Sequence, residues 1–126
     1  MIIAIGTDIV EVHRIRETIE RTPRFVERVF TESERKYCDS KGAAAAQHYA
    51  ARFSAKEATL KALGTGWAGK IGWQDIEVLS NEKGAPRLEI KGGALEVMES
   101  LGATSIHVSL SHTTEHATAQ VILEKV

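Results

Sequence analysis

In the segment RFSAKEATLKALGTG, residues 52–66, Glu57 and Lys61 stand four residues apart on what the alanine-rich composition makes a helix. A carboxylate and an ammonium one turn apart suit a metal-bound phosphate, the first holding the cation and the second the anion. A helix advances about 100° per residue, which sorts its faces. Tyr49, Phe53, Leu60 and Leu63 gather into one apolar stripe, and Ala51, Ala55, Ala58 and Ala62 into a second on nearly the opposite side. Glu57 and Lys61 share one seam between these stripes, Arg52 lies along the other, and Lys56 falls close to the bulky stripe itself. With both faces packed, charge beside a buried seam needs a partner, because desolvating an unpaired ion is costly. The plain alternative is a solvated i, i+4 salt bridge worth about 0.2–0.5 kcal/mol. Asp8 is a second acidic group, placed by alternation on the same face of an apolar segment as Ile2, Ala4 and Gly6. It either caps the helix that follows or joins Glu57 in offering hard oxygen ligands to one ion. Magnesium suits such a pair, since it accepts one or two carboxylates and completes its shell with water and substrate phosphate.

The elements that must position these groups follow from pattern. MIIAIGTDIV, residues 1–10, is dense and β-branched enough for a buried strand, and EVHRIRETIERT then switches to helical spacing, with Val12, Ile15 and Ile19 on one face. Pro23 either closes that helix or forces a kink just before it. Thr31 to Glu34, TESE, fits a capping box opening a helix towards Cys38. The tract 41–63 is expected as one long helix, stopped by Gly64 and Gly66. DIEVLS (75–80) and RLEIKG (87–92) are expected as strands joined by the turn-rich NEKGAP, and GALEVMESLGA (93–103) as a helix. SIHVSLSH (105–112) and the segment 115–126 alternate like paired strands around Thr113 and Thr114. Helices and strands interleave while hairpins dominate the second half. The expectation is therefore α+β, one domain over residues 1–126, with a mainly antiparallel sheet packed on a long central helix.

Bulk properties narrow the function. A net charge of -1 exerts no global pull towards nucleic acid or anionic membrane. One cysteine, Cys38, forms no internal disulfide and no cysteine zinc site, and a buried small hydrophobe is its expected role. No apolar run approaches the roughly 20 residues of a membrane span, and the first residues lack a leader pattern, so a cytoplasmic protein is expected. The five histidines form no H-E-x-x-H pattern. His107, Ser109 and Ser111 share one face of their strand, which is either solvated or functional. Arg14, Arg16, Arg21, Arg24 and Arg28 bias the first thirty residues towards positive charge. Such a run is either a solvated face or a dock for an acidic partner.

Three motifs, GTDIVEV (6–12), RFSAKEATLKALGTG (52–66) and HVSLSHT (107–113), resemble in order and spacing the signatures of the holo-[acyl-carrier-protein] synthases. These are the short members of the 4'-phosphopantetheinyl transferase superfamily. RFVERVFTESE (24–34) and DIEVLS (75–80) extend the match to nearly the full length. The resemblance implies transfer of the phosphopantetheine arm of coenzyme A to a serine of apo-acyl carrier protein, in fatty acid biosynthesis, with adenosine 3',5'-bisphosphate as by-product. It puts Asp8 and Glu57 on magnesium, Lys61 on the phosphates, and Arg52, Gly64, Gly66, Pro86, Ser111, His112 and Thr113 around the nucleotide. His107 is a further candidate for nucleotide contact or proton relay. Arg14, Arg21 and Arg24 match positions that receive the carrier protein, and a homotrimer with its site near the subunit interface is implied. One departure is Ala85, in Gly84-Ala85-Pro86, where relatives often carry a basic residue. The competing readings are a non-catalytic nucleotide- or carrier-protein-binding module and a structural protein whose charged seam is only a salt-bridge network.

Overall fold

The computed structural model describes residues 1–66 and 70–126. The chain runs β1 (Ile2–Glu11), α1 (Val12–Arg21), α2 (Arg24–Val29), α3 (Glu32–Asp39), α4 (Ala45–Leu63), β2 (Ile76–Ser80), β3 (Pro86–Ile90), α5 (Gly92–Ser100), β4 (Ser105–His112) and β5 (His116–Glu124). Strands β1, β5 and β4 form an antiparallel sheet in that order, and β2 and β3 form a separate antiparallel ribbon. The α+β expectation holds, with the strands divided between two sheets.

Helix α4 lies across one face of the three-stranded sheet. At Gly6 the backbones of β1 and α4 approach so closely that a Cβ would stand 1.9 Å from the Ala58 carbonyl oxygen. Ala55, Ala58 and Ala62 of the helix share a core with Ala119, Val121 and Leu123 of β5. The bulky stripe is buried as well, Leu60 and Leu63 in that core and Tyr49 in a second one with Val12, Ile15, Val29, Phe30 and Cys38. Both stripes are thus used within this chain.

Three local differences from expectation have clear causes. Gly42 takes φ +56, a left-handed turn that an α-helix cannot contain, so α4 begins at Ala45 after a single 3-10 turn rather than at Lys41. A register shift between Ile2 and Ala4 turns Ile2 outward, leaving it 53% exposed, while Ala4 stays partly buried and Gly6 fully so. Strand β1 continues to Glu11, which occupies the N-cap of α1 without a side-chain capping bond. Asp8 is therefore interior to a strand, and its capping role is removed. The capping box at Thr31 and Glu34 forms as the pattern predicts.

Candidate functional site

Two residues beyond the Gly6 contact, the Asp8 carboxylate emerges at the edge of α4. Its Oδ1 accepts from Lys61 Nζ at 3.1 Å, and Ser54 Oγ lies 3.1 Å from both Oδ2 and the Asp8 carbonyl oxygen. Thr118 Oγ1 donates to the same carbonyl at 2.9 Å, fixing the strand from the β5 side. The Asp8 side chain is 15% exposed and that of Lys61 57%, so the carboxylate is braced and the ammonium reaches solvent. The sequence pairs Lys61 with Glu57 along the helix; in the fold Lys61 crosses to Asp8 on another element. Glu57, half-buried one turn earlier, lines a cavity of about 330 Å³ with Leu60, Lys61, Gly64 and Gly66. Gly64 ends α4 at φ +78 with its N–H bonded to the Leu60 carbonyl, and Gly66 follows at φ +58. Two carboxylates and an ammonium beside an opened helix end can hold a divalent cation together with a phosphate. No cluster of three or more His, Cys, Asp or Glu occurs among the described residues. Two carboxylate ligands are what magnesium accepts when water and phosphate fill the rest of its shell.

A second polar centre lies about 140° around α4 from Glu57. Arg52 is 3% exposed, donates from Nη2 to Ser80 Oγ at 2.9 Å, and sets its guanidinium 4.0 Å above the Tyr37 ring. Its Nε is buried with no acceptor among the described residues. A cavity of about 130 Å³ opens here between Arg52, Tyr37, His48, Ser80, Pro86 and His112. Among the described residues it shares no lining residue with the cavity beside Glu57. His112 Nδ1 is 3.1 Å from Gln47 Oε1. Of the residues expected around a nucleotide, the fold thus gathers Arg52, Pro86 and His112. Ser111 faces the open side of the sheet opposite Thr118, and Thr113 closes the β4–β5 turn by accepting from the Glu115 and His116 amides. His107 pairs with Glu124 at 2.9 Å on that open side.

Arg14, Arg21 and Arg24 are all exposed. Arg14 lies 3.3 Å from Glu11, and Arg21, seven residues on, shares its face of α1. Arg24 opens α2.

Two arrangements went unread in the sequence. Lys56 is fully buried, 2.9 Å from the fully buried Glu34 carboxylate, and donates to the Trp73 and Ile76 carbonyls. Glu34 also accepts from the Thr31 and Val78 amides at 2.9 and 2.8 Å. Burial pushes the Lys56 pKa below its ordinary value, with the Glu34 charge opposing that shift. The signal was present, a lysine on an apolar stripe and a capping-box glutamate needing only one of its oxygens locally. The second arrangement is the contact of His48 with His112, which joins α4 to the end of β4 and has no local signal in the sequence.

Comparison with known proteins agrees with this geometry. The family model described as 4'-phosphopantetheinyl transferase superfamily matches residues 4–121. A holo-[acyl-carrier-protein] synthase of Koribacter versatilis is 47% identical over 98% of this chain and 99% of its own length, and that of Halalkalibacterium halodurans 45% over 99% and 98%. Among solved structures, the Bacillus anthracis holo-(acyl-carrier-protein) synthase in complex with CoA (3',5'-ADP) is 38% identical, with TM-score 0.82 over 100% of this chain and 99% of that one. The Helicobacter pylori enzyme in complex with coenzyme A is 31% identical, with TM-score 0.82 over 95% and 99%. With the motif order, the fold and the paired acidic and basic groups all in agreement, this chain belongs to the 4'-phosphopantetheinyl transferase superfamily.

Proposed function

We propose that this protein transfers the 4'-phosphopantetheine group of coenzyme A to a serine hydroxyl of an apo-acyl carrier protein, as a cytoplasmic step serving fatty acid biosynthesis. The observation that carries the reading is the Lys61–Asp8 contact, which ties α4 to β1 beside Glu57 at an opened helix end. In the reaction the serine Oγ bonds to the phosphorus that bears the pantetheine arm. The bond from that phosphorus to the bridging oxygen breaks, and adenosine 3',5'-bisphosphate leaves. Asp8 and Glu57 would hold a magnesium ion, which when bound neutralises charge growing on the diphosphate oxygens. Lys61 supplies a fixed positive charge to those oxygens and, by its bond to Asp8, keeps that carboxylate oriented. Gly64 and Gly66 let backbone approach the ligand without a Cβ in the way. The serine proton leaves to Glu57 or to water.

Arg52, Pro86 and His112 would grip the nucleotide end of coenzyme A, with Ser111 and Thr113 on the same strand and turn. The separation of their cavity from that of Glu57 supports a site completed between copies, the two half-sites coming from different subunits of a homotrimer. The open sheet face supports the same reading. Ile5 and Ile9 are 65% and 69% exposed there on either side of Thr7, and Ile5 lies opposite the partly buried Ile122. Arg14, Arg21 and Arg24 offer positive charge to an acidic carrier protein.

Intact mass of an apo-acyl carrier protein incubated with coenzyme A, magnesium and this protein tests the reading. A gain of one phosphopantetheine arm is expected. With Glu57→Gln, or with excess chelator, the rate should fall by about 100-fold or more. No gain with several carrier proteins would sink the transferase reading, and an undiminished rate in Glu57→Gln would sink the metal site alone.

A further inference from the structure

His48 and His112 meet edge to face with ring centroids 4.8 Å apart, one from α4 and one from the end of β4. Both line the small cavity into which Arg52 is packed, and Arg52 Nε is buried there without an acceptor. The charged groups acting on His48 are His112, Arg52 and Lys41, all of them cationic when charged; Tyr37 contributes a ring face 5.7 Å away. The nearby carboxylate of Asp39 accepts from the Tyr49 hydroxyl at 2.7 Å. A cavity that the Arg52 guanidinium shares with two imidazoles, and that no carboxylate lines among the described residues, suits an anion. Its small volume fits one compact tetrahedral group better than an extended chain of phosphates.

We infer that His48 is a proton-linked ligand of the phosphomonoester of the bound nucleotide, so that binding draws a proton from solvent onto His48. The inference rests on the coenzyme A reading and adds to it a residue and a pH dependence. Burial first, and then the neighbouring His112, Arg52 and Lys41, hold the His48 pKa below its ordinary 6.5. A dianion in the cavity reverses the sign of that field, and a histidine neutral near pH 7 becomes charged. The proton taken up is fixed on imidazole nitrogen and no other bond changes. Affinity for coenzyme A therefore rises as pH falls towards 6.5, and a nucleotide lacking the phosphomonoester loses this dependence.

Isothermal titration of the full chain with coenzyme A and with 3'-dephospho-coenzyme A, at pH 7 in two buffers of different ionisation enthalpy, counts the protons directly. Coenzyme A should bring net uptake of about half a proton relative to the dephospho compound. The ligand's own phosphate, with a second pKa near 6, would release protons on meeting cations, so the sign separates the two sources. His48→Phe should abolish the uptake and weaken coenzyme A binding about 3–10-fold at pH 6.5 and much less at pH 8. Net release with the native chain, or the same uptake in His48→Phe, would overturn the role of His48. Failure of coenzyme A to bind the native chain at any pH would overturn the nucleotide reading itself. The dephospho comparison requires no variant, so misfolding of His48→Phe leaves the inference open to refutation.

Discussion

Side by side on α4, Lys56 and Glu57 carry opposite charges into opposite surroundings. Glu57 turns to a cavity at the helix end, and Lys56 turns inward to Glu34 and two carbonyls. The ammonium has three hydrogens and three acceptors, which satisfies it completely. Removing it leaves the Glu34 carboxylate buried against an apolar group. Lys56→Met should therefore lose about 3–5 kcal/mol in urea unfolding, and Lys56→Met with Glu34→Leu should recover much of that loss. A loss below 1 kcal/mol in the single variant would show that water reaches the pair. The oddity of Lys56 was legible from its position on an apolar stripe. Its partner was not, because Glu34 already had a complete local explanation as the capping-box residue, and its bond to the Val78 amide joins segments 44 residues apart. Asp8 shows the converse: its candidacy as a ligand was readable, but whether it capped a helix depended on where β1 ended.

At the scale of elements, the contact between β1 and α4 decides how far Asp8 stands from Glu57. Periodicity predicted the strand, the helix and the alanine face that makes close approach possible. It could not predict that Gly6 is the residue meeting that face, since crossing position depends on how the sheet twists beneath the helix. Gly6→Ala would drive a methyl into the Ala58 carbonyl, and neither backbone can yield without moving the other. The variant should lose about 1–3 kcal/mol or more, and its transfer rate should drop further than its stability at assay temperature explains. Equal stability in both proteins would refute the close approach. Helix α1 carries a different expectation. Arg14→Ala and Arg21→Ala should raise KM for the carrier protein several-fold, most at low salt, with coenzyme A binding unchanged. Unaltered carrier kinetics in both variants would remove this docking surface. Helix α2 escaped the sequence reading because its six residues, Arg24–Val29, are too few to show a period.

For the whole molecule, the α+β class was legible because hairpin signals and long helical tracts both occur. The division into two sheets was not, since strand pairing between β1 and β5 spans most of the chain and no local pattern encodes it. One consequence of that division is a sheet whose second face is open and carries exposed isoleucines. Ile9→Glu places a charge on that face, on its edge strand β1, where a homotrimer would bury it. Light scattering should then give the mass of a single chain where the native protein gives three, and coenzyme A affinity should fall with it. Native and variant proteins of equal mass would put the subunit interface elsewhere.

The pairing of β1 with β5 also has a meaning for how the protein comes into being. Asp8 lies opposite Ala119, and the carbonyl of Asp8 is held by Thr118. As the chain is synthesised, the first strand must wait for residues 116–124 to leave the ribosome before it finds its place. Lys61 emerges long before the residues of β5 that hold the strand bearing its partner Asp8. Chains not yet extended through β5 therefore lack the partner strand that fixes Asp8, and the Asp8–Lys61 contact forms only once β5 has paired with β1.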